Sequence, residues 1–247
     1  YNVVVGDEAG TAITTGDRNV AVGYQALDAT NTGGENVAIG WGAATANTTG
    51  SGLVAIGDQA LEANTTATNN TAVGKVALKA NTTGTRNSAF GYGALDANTT
   101  ANDNSAVGYD SLTANTTGAS NVAVGTYALN VNTTASNNTA VGKSALGANT
   151  TGAQMTAVGT LALAASTTAT GGTAVGFRSL NDNTTGDWNV GLGYDALGVN
   201  TTGGQNTSVG AFALDANTTA DNNTAVGYNS LTANTTGTYN TAVGSLT

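Results

Sequence analysis

The stretch NTAVGKVALKANTTG, residues 70–84, decides the fold, because close copies of it fill the chain at a fixed interval. The glycine of its "AVG" recurs at Gly6, Gly23, Gly40, Gly57, Gly74, Gly91, Gly108, Gly125, Gly142, Gly159, Gly176, Gly193, Gly210, Gly227 and Gly244. Every interval is 17 residues, without insertion or deletion. Independent loops drift in length, so such constancy requires each residue to stack on its equivalent in the next coil. The columns are named below by their members in residues 70–84.

Two runs in the stretch have strand character. In the first, the Thr71 and Val73 columns are β-branched or apolar, as at Val20 and Val22 or Val37 and Ile39, and the Ala72 column lies between them. This is a short period-2 strand, ended by a glycine where a turn or a close backbone approach is needed. The Leu78 column holds Leu in twelve of fourteen coils, and two residues on comes a small apolar residue, so a second strand is expected there. Asn81-Thr82-Thr83 and the Asn70 column then supply turn chemistry and the means for stacked amide ladders. Each coil reads as strand, turn, strand, turn. A helix is excluded by the recurrent Gly, the Thr-Thr pairs and the lack of a sustained 3.6-residue stripe. Seventeen is not a multiple of six, so a hexapeptide β-helix fits poorly.

The expected fold is therefore all-β: a β-solenoid, a flattened two-strand roll of 17-residue coils. One continuous domain of about 14 coils spans 1–247, giving a rod of roughly 70 Å at about 4.8 Å per coil. Both ends fall within a repeat, so the chain reads as a piece of a longer array. The Val73 and Leu78 columns are expected to face the interior. The Ala72 column drifts only to Gly191, Ser208 and Val4, whereas the column after Leu varies freely (Asp28, Thr45, Glu62, Lys79). That restraint points to a second covered face, packed against another chain; alanine as a small residue at a tight corner is the alternative.

The strand ending in glycine resembles the "SVAIG"-type repeats of trimeric autotransporter adhesin heads, the YadA-like β-roll. The fuller unit, residues 70–84, is similar to arrays in bacterial surface and phage tail-fibre-like proteins. The resemblance covers the whole chain. It implies a parallel homotrimer of left-handed rolls, an extracellular, cell-surface or virion-tail location, and attachment to surfaces.

Composition excludes several functions. The net charge of −9 with six basic residues argues against a nucleic-acid partner. No apolar run approaches the ~20 residues of a membrane-spanning helix. Without His or Cys the commonest bases, nucleophiles and zinc ligands are missing, so neither an enzyme nor a cofactor or metal site is expected. Asp58, Glu62, Asp96, Asp110 and Asp215 read as a solvated surface. Asn-x-Thr acceptors recur at Asn47, Asn64, Asn81, Asn98, Asn115, Asn132, Asn149, Asn183, Asn200, Asn217 and Asn234. A glycan coat on these, or on Thr49, Thr66 and Thr83, is one reading, and stacked ladders are the other. The Thr column is also a candidate lattice for ice or carbohydrate, although only one of each adjacent pair can face outward. Aromatics after the glycine (Tyr24, Trp41, Tyr92, Tyr109, Phe177, Tyr194, Tyr228) read as corner packing. Trp41 is expected to make up for the Leu that Ala44 replaces, and Asp182 marks a place to look for a polar contact. The primary functional expectation is a structural fibre or adhesin segment, acting by rigid extension, display and attachment.

Overall fold

The computed structural model describes residues 1–30 and 32–247 and divides the chain into two compact units, residues 1–121 and 122–247. Each is an all-β parallel solenoid of 17-residue coils, and the described residues contain no helix. The first unit holds β1 (Val3–Val5), β2 (Val20–Val22), β3 (Val37–Ile39), β4 (Val54–Ile56), β5 (Thr71–Val73), β6 (Ser88–Phe90) and β7 (Ser105–Val107). The second holds β8 (Val122–Val124), β9 (Thr139–Val141), β10 (Thr156–Val158), β11 (Thr173–Val175), β12 (Val190–Leu192), β13 (Thr207–Val209), β14 (Thr224–Val226) and β15 (Thr241–Val243). Within a unit, successive strands pair in parallel with like on like: Val20 opposite Val37, Ala21 opposite Ala38, Val22 opposite Ile39.

Each coil contains one three-residue strand, so the expected second strand is absent. The Leu78 region is instead a run of turns with left-handed residues two apart, Val76 at φ 52° and Leu78 at φ 52°. A third left-handed residue, Arg86 (φ 58°), stands just before the Asn column. The turns still bond from coil to coil, as the Leu78 N–H donates to Ala94 O (2.9 Å) and the Ala80 N–H to Asp96 O (2.9 Å). Parallel stacking thus satisfies the backbone without an extended conformation.

A leucine in left-handed geometry costs roughly 1–2 kcal/mol. Burying its side chain contributes about 1.5–3 kcal/mol, and leucines of this column are fully buried, which offsets the strain. The terminal glycine of the strand has no such option. Gly57 has φ 138°, and a Cβ there would lie 2.5 Å from the oxygen of Gly74 in the next coil.

The leucines face the interior as expected, but the strand faces the opposite way, with its Ala column and not its Val column inside. Ala72 and its equivalents from Ala21 to Ala225 are fully buried, whereas the flanking Thr71 and Val73 columns point outward and are half-buried to exposed. The reason is space. A Cβ at Gly191, in the Ala72 column, would sit 2.5 Å from Oγ of Ser179, where most coils have the smaller Ala, and 3.1 Å from Cγ of Leu180. An alanine therefore fills the gap between strand and leucine, and a valine would collide. The core is Ala against Ala and Leu, walled by two buried asparagine columns.

Irregular coils keep their volume. A Cβ at Gly172, in the Asn70 column, would lie 3.6 Å from Cδ1 of Leu163, nine residues earlier. Leu53 stands in the same relation to Ala44 and is fully buried. It replaces the missing Leu, while Trp41 is 49% exposed and does not. In the first coil Gly10 occupies the Leu column, and a Cβ there would meet Val4 Cγ2 at 3.3 Å and the Ile13 side chain.

Candidate functional surfaces

The Asn-Thr-Thr edge has an inner and an outer row. Of the eleven asparagines in the Asn-Thr-Thr column, Asn47, Asn64, Asn81, Asn98, Asn115, Asn132, Asn149, Asn183, Asn200 and Asn217 are at most 1% exposed. Asn234 is half-buried. Asn81 Nδ2 donates to Asn64 Oδ1 (3.1 Å) and to Gly84 O (2.9 Å). Asn98 repeats the pattern on Asn81 (2.9 Å), and Asn217 on Asn200 (3.0 Å). The Nδ2 atoms that would carry a glycan thus point into the coil and hold a ladder, so a glycan on one of these ten would have to break it. A second ladder runs through the Asn70 column, where the Asn87 N–H donates to Asn70 Oδ1 (2.9 Å) and Asn87 Nδ2 to Ala101 O (2.8 Å).

The first threonine of each pair is spent on the same edge, as Thr82 Oγ1 donates to Thr99 O (3.1 Å). The second is outward: Thr49, Thr66 and Thr83 are exposed. One hydroxyl row per edge is open to decoration or to a ligand.

Charged side chains pair across coils. Lys75 meets Asp58 at 2.9 Å, Lys79 meets Glu62 at 3.4 Å, and Arg178 meets Asp195 at 3.2 Å. The Arg86 guanidinium meets Asp103 at 2.6 Å and holds that carboxyl below the usual range. These exposed pairs contribute little to stability. Asp96 and Asp215 are pushed up, first by burial and then by neighbouring carboxylates, Asp110 and Asp195. Asp182 is half-buried and takes a 2.5 Å hydrogen bond from Asn181 Nδ2. Among the described residues no three acidic groups are gathered as metal ligands.

Two features were not read from the sequence. The first is the outward strand face. Ile39 (38%), Phe90 (41%) and Val107 (42%) are exposed in the first unit, and Leu192 (46%) in the second. No charged residue occurs in the Thr71 or Val73 columns. Period-2 alternation gives two faces and does not say which is buried. The aromatic corner beside it is likewise exposed, with Tyr92 stacked on Tyr109 (centroids 5.2 Å) and Phe177 on Tyr194 (5.4 Å). The second is a shallow polar cavity of about 370 Å³ beside Trp188. Its signal was Gly204 standing between Asp187 and Asp221 in one column.

Known protein families, characterised proteins and solved structures provide no match to this chain.

Proposed function

We propose that this chain is a structural, self-associating segment of an extracellular fibre or adhesin shaft or head, on a cell surface or virion tail. It acts by rigid extension and by surface display or attachment, without catalysis. The association is a parallel homotrimer of left-handed solenoids. The observation that supports this reading is the outward strand face, uncharged, with an apolar side chain of the Val73 column in every coil beside a Val, Thr or Ser, and repeated in register along each unit. Contiguous exposed apolar surface marks a site of association, and strands in parallel register present a row of apolar side chains to a second copy.

Sedimentation equilibrium on the intact chain tests the proposal. The predicted mass is three times the 24.0 kDa chain. Ile56→Asp, on the exposed face, is expected to shift it toward the single chain. A wild-type mass of one chain overturns the reading.

The exposed second threonine supports a second reading, a glycan-coated filament or a threonine row that binds ice or carbohydrate. Intact mass of native material tests the first of these: added hexose at Thr49, Thr66 or Thr83 supports it, and the bare-sequence mass rejects it. Thermal hysteresis tests ice binding.

A further inference from the structure

The cavity at Trp188 lies within the second unit and is lined by Thr185, Asp187, Trp188, Thr202, Gly204, Gln205 and Asp221. Two glycines make it. The Trp188 ring packs against Gly171 of the preceding coil, where any Cβ would collide with it. Trp188 is still 56% exposed. In the adjacent column, between Asp187 and Asp221, the absent side chain of Gly204 opens a notch. A Cβ there would be 3.1 Å from Asp187 O and 3.9 Å from Asp221 Oδ1.

The polar groups around the notch are oriented before any ligand arrives. Asp187 Oδ1 accepts from the Thr170 N–H (2.7 Å), and Asp221 Oδ1 accepts from the Gly204 N–H (2.7 Å). Each carboxylate thus keeps its second oxygen for an outside donor. The Gln205 backbone N–H is held by Asp187 O at 2.9 Å, which places its side chain at the rim. Thr185 and Thr202 add two hydroxyls, and no basic residue lines the cavity.

An aromatic face beside acceptors and hydroxyls matches a ligand with one C–H face and several hydroxyl donors. We infer that this notch is a binding site for a neutral pyranose. The sugar's C–H face packs on Trp188, and its hydroxyls donate to Asp187 and Asp221 and exchange hydrogen bonds with Gln205, Thr185 and Thr202. About 370 Å³ falls within the ordinary range of small-ligand sites. Two carboxylates disfavour an anionic sugar. A single aromatic is not a cage for an organic cation. The inference gives the proposed attachment role a ligand and rests on that reading for its use, whereas occupancy of the notch is measured whether or not copies associate.

The chain has two tryptophans, so Trp41→Phe leaves Trp188 as the only one. Titrate that variant, by fluorescence, with the methyl glycosides of glucose, galactose, mannose and N-acetylglucosamine. At least one is expected to give a saturable change in Trp188 emission. Gly204→Thr fills the notch with the residue its column carries at Thr170, and is expected to weaken binding at least about tenfold. Trp188→Asn, followed by calorimetry, is expected to do the same. No saturable response to any of the four overturns the site, as does a response that either folded variant leaves unchanged. Tighter binding of N-acetylneuraminic acid or tetramethylammonium overturns the ligand class. Sedimentation on the same samples separates these results from failure of the trimer.

Discussion

Leu78 shows how a residue can serve the core against its own backbone preference. Its φ of 52° favours glycine, and its fully buried side chain requires bulk. Leu78→Ala is expected to cost about 2–5 kcal/mol by removing a core side chain. Leu78→Gly removes nearly the same bulk but relieves the left-handed strain, so it is expected to be as stable as the alanine variant or up to about 1 kcal/mol better. Urea unfolding of the pair measures this, and an extended or helical backbone would reverse the order. Asp96 gives a second test at this scale. Burial first, then Asp110, raises its pKa, while Lys79 lowers it. A raised folded-state pKa means that stability is fully present below the unfolded pKa and is lost as pH rises through the folded one. Asp96→Asn is therefore expected to flatten that decline, seen as a smaller fall in Tm from acid to neutral pH. None of this is visible in sequence, because leucine is not a residue that announces left-handed geometry.

The coil and its buried leucines were largely legible in the sequence, and the facing of its strand was not. The 17-residue period, the strand at the Thr71–Val73 columns and the asparagine edge follow from spacing and turn chemistry. Alternation along a three-residue strand fixes which residues share a face, and only the space opposite Leu decides which face is buried. The restricted Ala72 column carried that information, since it tolerates Gly191 and Ser208 and nothing larger in a coil that keeps its Leu. Ala72→Val is accordingly expected to destabilise by about 1–3 kcal/mol through overpacking. Val73→Thr, one residue away and outward, is expected to stay within about 0.5 kcal/mol for the single chain. A Val interior would give the opposite ranking in a denaturant titration. The turn leucines were mistaken for a strand because coil-to-coil bonding lets turns stack as strands do, so their column is equally constant.

At the scale of the molecule, each unit buries its alanines and leucines and leaves an uncharged β-branched face outward. The surface chemistry is divided by column: inter-coil ion pairs such as Lys75–Asp58, an open threonine row, a polar notch at Trp188, and the apolar strand face. Only the last is repeated in every coil with apolar side chains, and the account of assembly rests on it. The chain contains no cysteine, which permits a direct comparison of two faces. Val107→Cys sits on the strand face and Thr100→Cys on the threonine row, both exposed in the single chain. Under mild oxidation the account predicts rapid disulfide linkage between chains at position 107, with little at position 100. Equal labelling by a thiol reagent at both positions, with no inter-chain disulfide at 107, would contradict it.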